Sequence, residues 1–227
     1  MSGRAGAAGP ASRWLLVHPP LLGPAVLGPL AAELRARGHV VRVPDLRGAV
    51  GTAPGWSDRY TALAAAAGPA DVVLGFSGAG VVLPAVAAAV RARRVVWLDA
   101  LVPAAAGQTV PSEEVRARVA GLVRGDRIAA WPTWWPPGVL AAELPDDALR
   151  AAVAAEAPEL PAGLYDVAVP VPATWPDDDV RYVQLSASYD GDAAAARRRG
   201  WQVAGSGAGS HLDVATRPAE VADLVTG

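Results

Sequence analysis

Residues 71–90, DVVLGFSGAGVVLPAVAAAV, contain the change of pattern that decides the fold. An apolar run predicts a buried strand over 71–77, and an alanine-rich run predicts a helix over 79–93. Three glycines and a serine stand close together where the two meet: Gly75, Ser77, Gly78 and Gly80. A buried strand has no need for this group, whereas a sharp strand-to-helix turn needs very small neighbours. The stretch therefore predicts a turn that presents the Ser77 hydroxyl.

Strand and helix patterns alternate on both sides of this turn. Strands are predicted over 13–18, 39–45, 71–77, 94–99, 180–188 and 200–205, and helices over 25–38, 58–67, 79–93, 192–199 and 217–225. Nearly continuous Val, Ile and Leu strands separated by helices indicate a parallel sheet that is covered on both faces. We predict an α/β fold with a doubly wound, mostly parallel sheet.

Residues 101–177 interrupt the alternation. They carry many prolines and the tryptophan-rich block AAWPTWWPPG, with short helical pieces over 111–123 and 144–157. We interpret this stretch as a cap inserted between two strands of the sheet. The predicted organisation is a disordered tail, a core in two segments and the cap: 1–13, 14–100 with 178–227, and 101–177.

Composition limits the classes of function. The chain has 227 residues, 52% of them hydrophobic and 19% charged, which is typical of a globular domain. A net charge of −2 gives no electrostatic reason to expect nucleic acid. The absence of cysteine excludes disulfides and thiolate chemistry. No apolar signal-like start and no run of about 20 apolar residues is present, so we expect a cytoplasmic protein without a membrane partner.

Two motifs that resemble ligand sites are better explained structurally. The loop GSGAGS (205–210) has serine in the third glycine place of a dinucleotide fingerprint and follows the last strand. The acidic run 177–179 has no histidine nearby and is typical of a solvated linker. We expect neither a cofactor nor a metal.

The residues at the carboxyl ends of the strands suggest nucleophilic catalysis, because function in parallel α/β sheets gathers there. Ser77 ends the third strand, and the Gly78 N–H opens the following helix towards whatever Ser77 attacks. The motif approximates G-x-S-x-G, with Ala79 in the last glycine place.

A serine nucleophile needs a base and an acid that orients the base. His211 follows the last strand in the loop GSGAGSHLD, at the same predicted edge as Ser77. His39 begins a strand and is predicted to be structural. Asp190 follows one predicted strand and Asp99 ends another at this edge, so either can supply the acid.

The chain resembles the α/β-hydrolase superfamily over nearly its whole length. It is most similar to the compact branch that contains plant methylesterases and hydroxynitrile lyases. The stretches that carry the resemblance are LLVHPPLLGPAVLGPLAAELRARGHVVRVPDLRG (15–48), VVLGFSGAG (72–80), VVWLDALVPAAAGQTVP (95–111) and AGSHLDVATRPAEVADLV (208–225). The resemblance implies that Ser77 is the nucleophile, His211 the base and Asp190 the acid. Asp99 is the alternative acid, since some members take it from that strand.

The chain departs from the family after His18. The family places a backbone N–H two residues after this histidine to complete the oxyanion hole, but here Pro20 has no N–H. Leu21 is the predicted replacement donor beside Gly78, and Leu22 is the other possibility. The departure leaves two enzymatic functions open: ester or acyl hydrolysis, and a non-hydrolytic lyase or cyclase reaction of secondary metabolism that uses Ser77 and His211 for proton transfer. A third possibility is a ligand-binding protein that has lost the chemistry.

The expected substrate is a bulky, hydrophobic small molecule, because the cap is rich in indoles and few charges lie beside its tryptophan block. A tailoring step on a polyketide-like compound would suit such a pocket. The residues predicted to line it are His18, Trp56, Phe76, Trp131, Trp134 and Trp135. The cap tryptophans can equally form the core of the cap itself.

Overall fold

Six strands form one central sheet in the computed structural model, which describes residues 11–227. They are β1 (Arg13–Val17), β2 (Val40–Arg42), β3 (Val72–Ser77), β4 (Arg94–Ala100), β5 (Val180–Val183) and β6 (Gln202–Ala204). Their order across the sheet is β6-β5-β4-β3-β1-β2, and every neighbouring pair is parallel. The predicted parallel α/β architecture is therefore confirmed.

Helices cover both faces of this sheet. Those of the core are α1 (Gly28–Ala36), α2 (Trp56–Ala66) and α3 (Leu83–Val90), and after the cap α7 (Asp190–Arg198), α8 (Asp213–Thr216) and α9 (Pro218–Thr226). Along β4, Val95 and Trp97 belong to the hydrophobic cluster beneath α2 and α3, while Val96 and Leu98 belong to the one beneath α1 and α9. Burial on both sides explains why the strands have continuous apolar sequences.

The helix boundaries differ from the predicted ones where glycine and proline occur. The predicted helix over 25–38 starts as a 3₁₀ turn, Pro24–Leu27, before α1, and Gly38 at φ 91° follows its end. The predicted helix over 79–93 likewise starts as a 3₁₀ turn, Gly78–Val82. Pro84 then takes the second position of α3, where its missing N–H costs nothing.

Between β4 and β5 the chain leaves the sheet. This stretch contains α4 (Glu113–Ala120), α5 (Val139–Glu143), α6 (Asp147–Glu156), and two small antiparallel groupings, Gln108–Thr109 with Val169–Pro170 and Val123–Arg124 with Arg127–Ile128 and Leu160–Pro161. Glu156 accepts a hydrogen bond from the Ala25 N–H at 2.6 Å, which ties α6 to the core. The stretch corresponds to the predicted cap.

The predicted tail lies only partly within the described residues. Residues 1–10 of the predicted tail 1–13 lie outside the described residues, and Arg13 already belongs to β1. Within residues 11–227, no helix combines the length and the hydropathy that crossing a bilayer requires.

Candidate active site

The turn after β3 holds Ser77 in a backbone conformation that is rare for a residue with a side chain. Its φ is 57° and its ψ is −129°, and the pairing of β3 with β4 shifts register between Phe76 and Ser77. Such strain persists only where the surroundings enforce it. A Cβ on Gly80 would lie 2.1 Å from the Leu101 carbonyl oxygen, and one on Gly75 2.6 Å from the Leu83 side chain. The small residues are therefore required by close packing around the turn.

His211 is paired with Asp99. Its Nδ1–H donates to the Asp99 carboxylate at 2.7 Å. The carboxylate is fully buried and also accepts from the N–H groups of Leu185 at 2.9 Å and Ser186 at 3.1 Å, and from the Ser186 hydroxyl at 2.7 Å. The carboxylate thus accepts four hydrogen bonds, and the one from Nδ1–H fixes the imidazole with Nε2 available as a base.

The imidazole of His211 packs between aromatic neighbours. The rings of Phe76 and Tyr189 stack on it with centroid distances of 4.4 Å and 5.0 Å. The Tyr189 hydroxyl is also 3.0 Å from the Ser77 Oγ. Ser77 and His211 thus share Tyr189 as a neighbour, and among the described residues the hydrogen bond of the Ser77 side chain is to this phenol rather than to His211.

Two backbone N–H groups near the turn, those of Gly78 and Leu21, are not engaged by the hydrogen bonds of their own segments in the described residues. Gly78 begins the 3₁₀ turn, so its N–H has no partner within that turn. Pro19 and Pro20 lie against Gly78, with carbon atoms 3.9 Å and 3.6 Å from where its Cβ would be. The Leu22 N–H donates to the Pro19 carbonyl at 3.1 Å and is therefore occupied, whereas no such bond engages the Leu21 N–H within the described residues.

Asp190 does not contact His211, in contrast to the prediction that it is the acid. Asp190 is exposed at the start of α7 and accepts a hydrogen bond from the Gln184 side chain at 2.5 Å. The loop after β5 turns Leu185 and Ser186 towards Asp99 instead. Of the two candidates, the structure brings Asp99 to the imidazole.

His18, predicted to line the substrate pocket, is buried and hydrogen-bonded on both ring nitrogens, and a role in substrate binding stays a prediction. Its side chain is fully buried, and Nε2 accepts from the Leu46 N–H at 2.9 Å. Nδ1 then carries the proton and donates to the Pro19 carbonyl at 3.0 Å. Burial lowers the pKa of His18 to about 4, so the ring is neutral at neutral pH. His18 shapes the loop that carries the two prolines.

Two predicted aromatic lining residues belong to the core instead. Trp56 is 4% exposed and packs against Tyr60 with ring centroids 5.8 Å apart. Phe76 is fully buried and supports the imidazole of His211. Both follow the rule that a bulky apolar side chain beside a buried strand fills the core first.

The cap tryptophans differ in their exposure. The rings of Trp131 and Trp135 contact each other with centroids 5.8 Å apart, and Trp135 is 44% exposed. Trp134 is half-buried and donates from its indole N–H to the Ala129 carbonyl at 2.7 Å. Trp175 packs on Trp97 of β4 at 5.6 Å and anchors the end of the cap. The lining role of the first three stays a prediction.

One cavity near the sheet has neither Ser77 nor His211 in its lining. It has a volume of about 420 Å³ and is lined by residues that include Gln184, Gly205 and Arg217. Arg217 there is paired with Glu220 and Asp213, so the cavity offers no free cation from this side chain. The chemistry at Ser77, and not the size of a concavity, identifies the candidate active site.

Sequence reasoning missed Ser186 and Tyr189. Both lie in the segment SASYD (186–190), which follows β5. In this segment only the carboxylate of Asp190 was predicted to have a role. Their place at the carboxyl end of a strand next to β4 was the signal that could have found them.

Comparisons with known proteins support the fold. No protein-family model and no curated protein matches the chain. Among solved structures, an extracellular α/β-hydrolase from a Paenibacillus species, described as homologous to tobacco salicylic acid binding protein 2, is 20% identical, with 95% of this chain and 98% of that chain covered and a TM-score of 0.69. Tomato methylketone synthase I in complex with 2-tridecanone is 15% identical, with 96% and 97% covered and a TM-score of 0.69. A pyrethroid hydrolase from Sphingobium faniae is 16% identical, with 95% and 96% covered and a TM-score of 0.65.

These likenesses identify the α/β-hydrolase fold. They extend over nearly the whole chain, as the resemblance in the sequence predicted, and they include a plant protein and a relative of a plant binding protein. At identities of 15–20% they establish the fold and not the activity, which depends on the residues of the site.

Proposed function

We propose that the protein is a serine hydrolase that cleaves an ester or a related acyl bond. The observation that supports this proposal most directly is the buried Asp99–His211 pair beside a serine held at φ 57°. A neutral imidazole with a carboxylate on Nδ1 is a base whose Nε2 can take a proton from a nearby hydroxyl. In place of the predicted Asp190, the proposed triad uses Asp99.

The proposed reaction begins when Ser77 Oγ attacks the acyl carbon. The proton of its hydroxyl passes to His211 Nε2, and the Asp99 carboxylate stabilises the imidazolium. The carbonyl electron pair moves to oxygen, where the N–H groups of Gly78 and Leu21 are the backbone donors we assign to the oxyanion. His211 then gives its proton to the leaving group, and water releases the acyl chain from Ser77 by the same steps.

This attack requires the Ser77 hydroxyl to turn from Tyr189 towards His211. Ser77 and His211 share two neighbours, which keeps their side chains in the same part of the site. His211 stacks on Phe76, the residue before Ser77, and on Tyr189, the hydrogen-bond partner of Ser77. A rotation about the Ser77 side chain is a fast motion on the scale of enzymatic turnover.

The proposed substrate is a bulky, hydrophobic small molecule. Supporting this class are the half-buried and exposed indoles of the cap. Two of the structural neighbours are described with apolar compounds, one bound to 2-tridecanone and one named for pyrethroids.

The decisive experiment combines covalent labelling with kinetics. The protein is treated with a fluorophosphonate and with nitrophenyl esters of increasing chain length, and intact mass and product release are followed. We expect one adduct on Ser77 and turnover that Ser77→Ala lowers at least about a thousandfold. Ser206→Ala, which removes an exposed serine from another loop, is the control and should behave as the wild type.

Other results would decide for the remaining candidates. Conversion of a complex substrate that depends on Ser77 but passes through no acylated serine would favour proton-transfer chemistry. Ligand binding with no turnover, unchanged in kind by Ser77→Ala, would mark a binding protein. Either outcome refutes the hydrolase proposal.

A further inference from the structure

Tyr189 is the one phenol that touches a reacting atom of the site among the described residues, and the triad assigns it no task. Its hydroxyl lies 3.0 Å from the Ser77 Oγ. Two of the three other phenols have partners in the backbone: Tyr182 donates to the Ala100 carbonyl at 2.9 Å, and Tyr60 donates to the His18 carbonyl. A phenol directed at the nucleophile therefore needs an explanation in terms of chemistry.

The position of Tyr189 is set by the same loop that holds the triad. Tyr189 ends the turn Ala187–Tyr189, and its own N–H donates to the Ser186 carbonyl at 3.3 Å. Ser186 in turn donates two hydrogen bonds to Asp99. The ring is further fixed by its stacking on His211, with 17° between the planes. The turn and the stacking therefore limit the phenol to small side-chain rotations.

The loop after β1 has few backbone donors left for an oxyanion, and Leu21 is the one that we assign. Pro20 has no N–H, and the Leu22 N–H is engaged by Pro19. Loss of one oxyanion donor costs about a hundredfold to a thousandfold in kcat. A hydrolase of this fold with a proline at this position therefore has reason to recruit a donor from elsewhere.

The protonation state of Tyr189 suits a donor. Burial raises the pKa of the Tyr189 phenol well above its usual value of 10. The hydroxyl consequently keeps its proton throughout the pH range in which the neutral imidazole of His211 acts as a base.

We infer that Tyr189 is a catalytic residue whose hydroxyl donates a hydrogen bond to the oxyanion that forms when Ser77 attacks, in addition to the N–H groups of Gly78 and Leu21. The inference rests on the proposed function. The attacking Oγ and the oxyanion are bonded to the same carbon, so a donor that touches the first reaches the second by a small side-chain rotation. The Oγ–C bond forms, the carbonyl electron pair moves to oxygen, and the Ser77 proton goes to His211. The Tyr189 proton stays on Tyr189.

The test removes the hydroxyl and keeps the ring. In Tyr189→Phe we expect kcat for a nitrophenyl ester to fall about a hundredfold with KM changed less than about threefold. The affinity for a boronic acid, which forms a tetrahedral anion on serine, should fall by a similar factor. Tyr182→Phe is the control, because it loses a buried phenol hydrogen bond that does not involve Ser77.

Two outcomes overturn the inference. Unchanged kcat and boronate affinity in Tyr189→Phe would mean that the hydroxyl takes no part, and faster acylation would mean that it restrains the nucleophile. Both differ from a failure of the hydrolase proposal, in which the wild type itself forms no adduct on Ser77.

A second measurement is available if Tyr189→Phe does not fold. A fluorinated tyrosine at position 189 keeps the size of the side chain but has a more acidic phenol. If the phenol is a donor, the pH–rate profile must lose activity as this group ionises, at a pH where the wild type is still active. A profile identical to that of the wild type, over a pH range in which the absorbance of the fluorinated phenol shows that it ionises, would overturn the inference.

Discussion

Replacement of Asp99 by asparagine removes a charge at the centre of the site while keeping the shape of the side chain. The present carboxylate accepts at Oδ1 from the Leu185 and Ser186 N–H groups, and at Oδ2 from the Ser186 hydroxyl and His211. The two backbone donors would hold the amide oxygen at the first position. The amide NH₂ would then face His211 Nδ1.

The consequence for His211 follows from this orientation. An N–H directed at Nδ1 favours the imidazole tautomer with its proton on Nε2, which cannot accept the proton of Ser77. In serine protease triads the equivalent change lowers kcat about 10⁴-fold. At about 1.4 kcal/mol for each factor of ten, this is a loss of about 5 kcal/mol of transition-state stabilisation. Stability should fall by much less, because the Ser186 hydroxyl can rotate.

The assay compares Asp99→Asn with Asp190→Asn, the matched change at the other candidate acid. Turnover of a nitrophenyl ester is measured for both, with thermal unfolding as the control for folding. Asp190→Asn should retain activity within about threefold, since the exposed Asp190 contacts Gln184 and not His211. A loss of activity in Asp190→Asn with activity retained in Asp99→Asn would refute the assignment.

Two further predictions concern stability. Burial lowers the pKa of His18 from 6.5 to about 4, so the fold favours the neutral ring, and the free energy of unfolding should fall by about 3 kcal/mol as pH drops from 6.5 to 4. Urea titrations should show that the free energy of unfolding depends less on pH in His18→Gln. An equal pH dependence in the two proteins would contradict this. Gly80→Ala should lower the free energy of unfolding by about 3 kcal/mol, since its Cβ would meet the Leu101 carbonyl at 2.1 Å. Gly28→Ala, with no atom within 4 Å of its Cβ, is the control and should be neutral or slightly stabilising, and equal losses at both sites would refute the packing argument.

The sequence was sufficient for the elements and for the serine turn. Buried parallel strands have a continuous apolar signal, and a strand-to-helix turn that holds a residue at φ 57° requires very small neighbours, so both leave local marks. His211 could be placed for the same reason, because the ends of parallel strands meet at one edge. The predicted boundaries were less accurate where short 3₁₀ turns begin a helix, since a local pattern does not distinguish the two helix types.

Only the tertiary structure distinguished the two candidate acids. Asp99 lies at the end of β4 and Asp190 follows β5, and because these strands are neighbours in the sheet, the sequence places both carboxylates at the edge where His211 lies. Asp99 is the one that contacts the imidazole because the loop after β5 directs the Leu185 and Ser186 N–H groups at its carboxylate. Contacts between loops from different strands leave no periodic signal in the sequence. The burial of His18 and the contact of Tyr189 with Ser77 depend on such contacts as well, and the folded chain alone determines them.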